Sequence, residues 1–161
     1  MHNDSPICMR AIGLVETDVA DADIARRRRT MVSDIVLFDD YVAGLKGITE
    51  YSHIIVIFWM HRAVPSAELI VHPRGDTSLP PSGVFAARGR GRPNPIGLAV
   101  TELIKLEGPR LTVRRLDAYN ATPIIDIKPY DRYDIYTAIR MPQWFDEHRR
   151  PSSKRPPGSG S

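Results

Sequence analysis

The amino-acid sequence predicts an all-β fold of mainly antiparallel strands with short helices. Short apolar runs recur along the chain, and segments rich in glycine, proline and charged residues separate them. No series of amphipathic helices alternates with these runs, which argues against repeated βαβ units. Strands are expected at residues 7–15, 33–38, 51–61, 83–87, 96–106, 110–116 and 122–130.

The run 51–61 is the most apolar in the chain, and we expect it to form the central strand of the core. Residues 54–59 include no polar side chain, which predicts burial of both faces of this strand. Residues 39–45, before it, should form a turn or a short helix. Farther along, Glu107-Gly108-Pro109 separates two strands and predicts a tight hairpin.

Length and composition fit one soluble globular domain. The 161 residues are enough to enclose a core, and 42% apolar with 25% charged residues is typical of such proteins. The domain is expected at residues 1–148, because the stretch 149–161 is rich in proline, serine, glycine and basic residues and should be disordered. No apolar run is long enough to cross a membrane, so a cytoplasmic protein is expected.

The net charge of +3 is not by itself a sign of nucleic-acid binding. The stretch 149–161 holds four basic residues and no acidic one, so residues 1–148 hold 18 basic and 19 acidic residues. What remains is local clustering of arginine within 26–29, 88–92 and 110–115. Such clusters meet phosphate groups if the fold brings them together. The block 26–29 alone is typical of a solvated, mobile loop.

Cysteine and histidine usage bears on redox and metal chemistry. Cys8 is the only cysteine, so an internal disulfide is excluded, and within the first strand it should be buried. His53 and His61 share a face of the central strand, but they are eight positions apart, which is too far for them to bind one metal ion. No metal site is therefore expected.

Residues 83–100 predict a rigid cationic loop between two strands. Arg88, Arg90 and Arg92 alternate with two glycines, and the prolines of Pro93-Asn94-Pro95 follow. Glycine lets the backbone approach a ligand and proline fixes φ, so the loop has a definite shape that suits the binding of an anion. The alternative is an ordinary solvated surface.

The expected strand 122–130 carries an acid and a base among apolar residues. Strand periodicity puts Ile124, Asp126 and Lys128 on one face. The two charged side chains should therefore either pair with each other or belong to a site.

Three segments of the chain together resemble the TsaA-like, or TrmO, family. They are GLKGITEYSHIIVIFWMHR at 44–62, RPNPIGL at 92–98 and TPIIDIKPY at 122–130, and they follow one another in the family's order. The resemblance implies an antiparallel β-barrel that binds S-adenosylmethionine. It also implies methylation of the exocyclic nitrogen of threonylcarbamoyladenosine, beside the anticodon of tRNA, by a homodimer.

The resemblance also implies which residues form the site. Arg88 is expected to contact the carboxylate group of the cofactor. Asp126, Lys128 and Tyr130 are candidates for catalysing or supporting the reaction. The implied cofactor-binding residues are Arg29, Thr30, His61, Arg62, Arg88, Leu98, Asn120, Ala121, Thr122 and Pro123.

Two departures from the family's pattern leave other functions open. The family's Pro-Arg-Gln motif is absent near Arg29, and Asn120-Ala121 stands where the family usually has Asp-Gly. Asparagine lacks the carboxylate charge, and Ala121 should resist the positive φ that glycine accepts. The alternatives are a methyltransferase of the same fold with a small-molecule acceptor, and a non-catalytic module that binds S-adenosylmethionine or RNA.

Overall fold

The computed structural model describes residues 5–64 and 66–147. Its regular elements are short. In chain order they are β1 (Gly13–Glu16), α1 (Asp21–Arg27), β2 (Val32–Leu37), β3 (His53–Trp59), β4 (Ile70–Val71), β5 (Ser82–Gly83), β6 (Ile96–Glu107), β7 (Arg110–Arg114), β8 (Pro123–Pro129) and α2 (Gln143–Glu147). Segments of 3-10 helix lie between several of them, including Asp39–Leu45, where the sequence predicts a turn or a short helix.

Six of the strands close into a barrel in the order β1-β2-β7-β6-β3-β8. Every neighbouring pair is antiparallel, including β8 with β1, which completes the ring. Because a closed barrel has no edge strand, the backbone groups of these strands find partners within the sheet. The other two strands, β4 and β5, form a separate pair. The prediction of a mainly antiparallel β-barrel with short helices is confirmed.

The hairpin between β6 and β7 is also confirmed. Glu107 lies opposite Arg110 in the ladder, and Gly108 in the turn has a φ of 58°. A positive φ is accessible to glycine at little cost, which is why the chain reverses here.

The core fills the barrel with side chains that its strands direct inward, and β3 shows the alternation most regularly. In β3, Ile54, Val56 and Phe58 are buried, whereas the residues between them are only half-buried. The prediction that both faces of this strand are buried was therefore wrong. In a barrel only the inward face of a strand meets the other side chains of the core, and the outward face lacks a second layer to cover it fully.

A bulge in β8 changes which of its residues face outward. The pairing with β3 shifts register, so that Phe58 lies opposite Ile124 while Ile57 lies opposite Asp126. Ile125 is the extra residue that this shift inserts. Ile124 is fully buried in the core and Asp126 is not. The prediction that Ile124 shares a face with Asp126 was wrong, because strict alternation fails across a bulge.

Two expected strands are shorter in the structure. Pairing of the first begins at Gly13, and residues 5–12 contain no strand, so Cys8 is exposed and not buried as predicted. Near residues 83–87, β5 ends at Gly83 and a 3-10 turn occupies Val84–Ala86. In both places apolar residues indicated a strand, but a strand forms only where a partner lies within hydrogen-bonding distance.

The arginine block 26–29 begins inside a helix, which corrects the expectation of a loop. Acidic residues occupy the first turn of α1 and basic residues its last turn, as the helix dipole favours. Asp23 also accepts a hydrogen bond of 2.8 Å from Arg26, three residues later. A helix of seven residues is too short to show a clear hydrophobic period in the sequence.

Further predictions concern the end of the chain, membranes and metals. The tail predicted at 149–161 lies outside the described residues. Within the part of the chain that the structure describes, no helix has the length and apolar character needed to span a membrane. That part also contains no group of three or more side chains able to hold a metal ion.

We predict that Gly97→Ala destabilises the barrel, because a Cβ atom at this position would overlap the ring of Phe58 on the neighbouring strand. Forcing a buried aromatic ring aside costs about 1–3 kcal/mol. The free energy of unfolding in urea measures the loss. Gly83→Ala is the matched control, since its Cβ would meet no atom within 4 Å. Equal stability of the two variants would contradict this account of the packing.

Candidate functional site

Three connections lie at one end of the barrel, which we call the mouth. Because neighbouring strands run antiparallel, the ends of β1, β3 and β7 meet the starts of β2, β6 and β8. The connections at the mouth are residues 17–31, 60–95 and 115–122. Nearly all the cofactor-binding residues implied by the family resemblance lie in these connections or at the strand ends beside them. Antiparallel connectivity thus brings together segments that are far apart in the sequence.

Arg62, just after β3, joins two of these connections. Its guanidinium forms a salt bridge with Asp21 of α1, and its Nε donates to Nε2 of the neighbouring His61 at 3.3 Å. Its Cζ atom also lies 5.0 Å from the centre of the Tyr119 ring, within the range of a cation–π contact. One side chain therefore connects α1, the end of β3 and the segment that precedes β8.

Tyr119 receives a second arginine from the cationic loop. Nη1 of Arg90 donates a 2.7 Å hydrogen bond to the phenol oxygen of Tyr119, and its Cζ atom lies 6.0 Å from the ring centre. Tyr119 is half-buried. Sequence reasoning did not identify this residue, because a lone tyrosine in a turn carries no signal until its neighbours in space are known.

His61 is held in a neutral form at the mouth. Its Nε2 accepts from Arg62, which leaves the proton on Nδ1, and that atom lies 3.3 Å from the hydroxyl oxygen of the buried Thr122. Partial burial lowers the pKa of His61, and the positive charge of Arg62 lowers it further, while Asp21 acts in the opposite direction. The imidazole therefore offers an uncharged, oriented ring to a ligand.

The turn before β8 contains the Asn120-Ala121 pair, and both residues have a defined structural role. Ala121 adopts a φ of 61°, a conformation that glycine accepts freely and that costs alanine free energy. Hydrogen bonds hold this strained residue in place, since its backbone N–H donates to Val15 and that of Thr122 donates to Tyr119. The Asn120 side chain accepts from the Thr17 backbone at 3.1 Å. Its amide therefore braces the adjoining connection.

Arg88 and Asp117 form a second charged group at the mouth. Nη2 of Arg88 donates to the carbonyl oxygen of Leu98 at 3.4 Å. The protein around Asp117 raises the pKa of its carboxyl although its side chain stays exposed, and a backbone hydrogen bond and the charges of Arg28 and Arg88 oppose this rise. Asp117 was missed in the sequence because a single acid after an apolar strand is common.

The remaining predicted site residues fall into two sets: Arg29 and Thr30 lie in the first connection of the mouth, whereas Asp126, Lys128 and Tyr130 lie outside the mouth. Asp126 and Lys128 form a salt bridge of 2.7 Å on the outer face of β8. Of the two sequence-based alternatives, a mutual pair or a place in a site, the structure shows the pair. Tyr130 bonds through its backbone N–H to His53, at the opposite end of β3 from the mouth. Arg29 and Thr30 follow α1 as exposed residues, and Thr30 bonds to the carbonyl oxygen of Arg27. Their roles stay predictions.

A cavity of about 470 Å³ lies outside this group of residues. It is bordered by β1, β2 and β7, and Glu16, Asp34, Arg110 and Thr112 are among its lining residues. Both carboxylates bond to Arg110 at 2.8 Å, and Thr112 donates to Asp34 at 2.6 Å. These groups satisfy one another, and none of the predicted site residues lines the cavity.

The fold and the mouth define the class: a six-stranded antiparallel barrel whose connections gather guanidinium groups at one end. The family model of the tRNA-methyltransferase O N-terminal domain matches residues 22–134, so the chain belongs to this family.

Individual relatives agree with this family. An S-adenosyl-L-methionine-binding protein of Archaeoglobus fulgidus is 43% identical over 125 residues, which are 76% of this chain and 88% of that protein. A crystal structure of TrmO superposes with a TM-score of 0.69 and 27% identity over 85% of this chain. A crystal structure of TrmO from Pseudomonas aeruginosa superposes with a TM-score of 0.68 and 28% identity over 84% of this chain. The chain spans 64% and 61% of those two solved chains.

We predict that Ala121→Gly stabilises the protein, because glycine accepts the positive φ that costs alanine free energy. The expected net gain in the free energy of unfolding is about 0.5–1 kcal/mol, because the larger entropy of glycine in the unfolded chain offsets part of the relieved strain. Thermal unfolding measures it. Ala67→Gly, in an exposed segment without positive φ, is the control and should not stabilise. A loss of stability in Ala121→Gly equal to that of the control would contradict the assignment of strain.

We predict that Arg62→Met raises the pKa of His61, yet leaves it below the ordinary value of about 6.5, because burial is the larger cause of its lowering. Nuclear magnetic resonance titration of the imidazole measures this. A lowered pKa means that the unfolded chain binds the proton more readily. The native His61 therefore contributes stability above about pH 6.5 that is lost as pH falls through its folded pKa. A His61 pKa unchanged by Arg62→Met would refute the coupling.

Proposed function

We propose that this protein is an S-adenosylmethionine-dependent methyltransferase that modifies adenosine in tRNA. The observation that carries the proposal is the gathering of Arg62, Arg88 and Arg90 at the mouth of a barrel that belongs to the tRNA-methyltransferase O family. The methylated group would be the exocyclic nitrogen of threonylcarbamoyladenosine. A cytoplasmic location accords with such a substrate.

The residues at the mouth fit S-adenosylmethionine. Its carboxylate matches a guanidinium, for which Arg88 is the candidate, and its ammonium group matches the carboxylate of Asp117. When bound, this cofactor supplies an electrophilic methyl group on a sulfonium ion. The exposed Leu98 and the turn 120–123 would complete the binding surface, together with His61 and Arg62.

The chain's own residues have three tasks in this chemistry. Methyl transfer is an in-line displacement, so the first task is to hold both reactants in line, and the rigid turn 119–122 and the arginine loop serve it. The second is to place suitable charge around the reacting atoms. The third is to accept the proton that the nitrogen releases, for which Nε2 of the neutral His61 ring is the candidate once a bound reactant displaces its hydrogen bond from Arg62.

For Asp126, Lys128 and Tyr130 we propose a structural role, in place of the catalytic role that the family resemblance implies. The mutual salt bridge of the first two and the location of Tyr130 beside His53 favour support of β8 over contact with the reacting atoms. Asp126→Asn should therefore alter stability more than turnover.

One observation favours a second candidate function. Asn120 stands where the family usually has an aspartate, and its side chain bonds to the neighbouring Thr17. The missing carboxylate is compatible with an acceptor other than tRNA, including a small molecule. A barrel that binds the cofactor without catalysis is the third candidate.

We propose also that two copies associate through the outer face of β6. Exposed apolar side chains alternate there at Ile96, Leu98 and Val100, and Ile104 follows beyond Glu102. An apolar strip of this kind on a sheet is typical of a protein interface. Sedimentation of the native chain as a monomer at all concentrations would refute association.

We predict that S-adenosylmethionine binds saturably in calorimetric titration and that Arg88→Ala weakens binding about tenfold or more, as expected for loss of a charge-assisted hydrogen bond. Arg132→Ala is the matched control. Arg132 is exposed after β8, at the opposite end of the barrel, and this variant should bind normally. No binding by the native protein, with or without tRNA, would overturn the cofactor assignment.

Incorporation of labelled methyl groups separates the three candidate functions. Bulk tRNA from cells that lack the gene should accept methyl groups, whereas tRNA from cells that contain it should not. Cofactor binding without transfer to this tRNA would favour the small-molecule acceptor. Binding without transfer to any fraction of a cell extract would favour the non-catalytic module.

A further inference from the structure

Tyr119 brings two arginines from different parts of the chain to one aromatic ring. Arg62 comes from the end of β3 and Arg90 from the cationic loop, and their Cζ atoms lie 5.0 Å and 6.0 Å from the ring centre. Like charges in such proximity repel each other unless nearby groups offset the charge. The negative face of the ring and the phenol oxygen provide part of that offset.

The two arginines differ in what else they contact. Arg62 forms a salt bridge with Asp21 and a hydrogen bond to His61, so several contacts fix it. For Arg90, the hydrogen bond to the Tyr119 hydroxyl is the only one found within residues 5–64 and 66–147. At 6.0 Å its ring contact is at the limit of the favourable range. The phenol oxygen therefore determines where the Arg90 guanidinium sits.

A guanidinium has five N–H donors, and one of the five in Arg90 donates to the Tyr119 hydroxyl. The remaining donors lie at the mouth, where Arg62 contacts the same ring. A pre-oriented guanidinium loses less conformational entropy when it binds an anion than a free one does. Tyr119 thereby converts a flexible surface arginine into part of a prepared anion site.

We propose that Tyr119 is a positioning residue, which holds Arg90 so that its remaining donors bind an anionic group of the reactants. This inference rests on the proposed methyltransferase function and adds a residue to its site. The anionic group is either the carboxylate of S-adenosylmethionine or a phosphate of the tRNA. Both accept hydrogen bonds from a guanidinium, and separate measurements distinguish them.

The test compares Tyr119→Phe, Arg90→Met and the double variant in cofactor titration and in the KM for tRNA. Removal of the hydroxyl keeps the ring, and with it the contact to Arg62, but frees Arg90. We expect a loss of about three- to tenfold for Tyr119→Phe in one of the two measurements. In the Arg90→Met background the same change should have no further effect, since its target is gone.

Two further variants separate positioning from a general structural role. Tyr119→Leu removes the ring as well and should also disturb Arg62, so it should raise the pKa of His61 or weaken both measurements more than Tyr119→Phe. Tyr51→Phe makes the same chemical change just before β3, at the end of the strand away from the mouth, and should change neither measurement. Thermal unfolding of Tyr119→Phe should match that of the native protein.

Additive effects of Tyr119→Phe and Arg90→Met, or native behaviour of Tyr119→Phe in both measurements, would overturn the proposal. A loss in cofactor affinity would identify the carboxylate as the anion, and a loss confined to the KM for tRNA would identify the phosphate. Failure of the proposed function is distinguishable, because the native protein itself would then neither bind the cofactor nor methylate tRNA.

Discussion

Closure of the sheet is the constraint on which the rest of this structure depends. β3 pairs along its whole length with β6 and along most of its length with β8, so the most apolar strand is surrounded by hydrogen-bonded neighbours. Closure removes edge strands and forces alternate residues inward. Because all neighbours are antiparallel, closure also sends three long-range connections to the same end of the barrel.

The mouth shows how a barrel of modest charge can concentrate arginine. Three arginines lie there, and each contacts a different kind of group. Arg62 pairs with a carboxylate, Arg88 donates to a backbone carbonyl and Arg90 donates to a phenol. None of these contacts saturates a guanidinium, so donors remain for a ligand. An anionic cofactor group or a phosphate would supply the missing partner, which is why the site is suited to the proposed chemistry.

Sequence patterns predicted the strands of the barrel well where pairing and apolar character coincide. The central strand and the hairpin at Gly108 are examples, as is the pairing of Asp126 with Lys128. They failed at residues 7–11 and 84–86, where the apolar residues do not pair with a strand of the barrel. They also failed across the bulge at Ile125, because an inserted residue leaves no mark on local periodicity.

The sequence by itself determined the family, the apolar strands and the arginine loop, since motifs and periodicity are local properties of the chain. Tertiary structure alone decided that Tyr119 meets Arg62 and Arg90, that His61 meets Thr122, and that Ala121 takes a positive φ. These contacts join positions that are 29 to 61 residues apart in the chain, apart from the local turn. Such contacts follow from strand register and closure, and local sequence does not encode either.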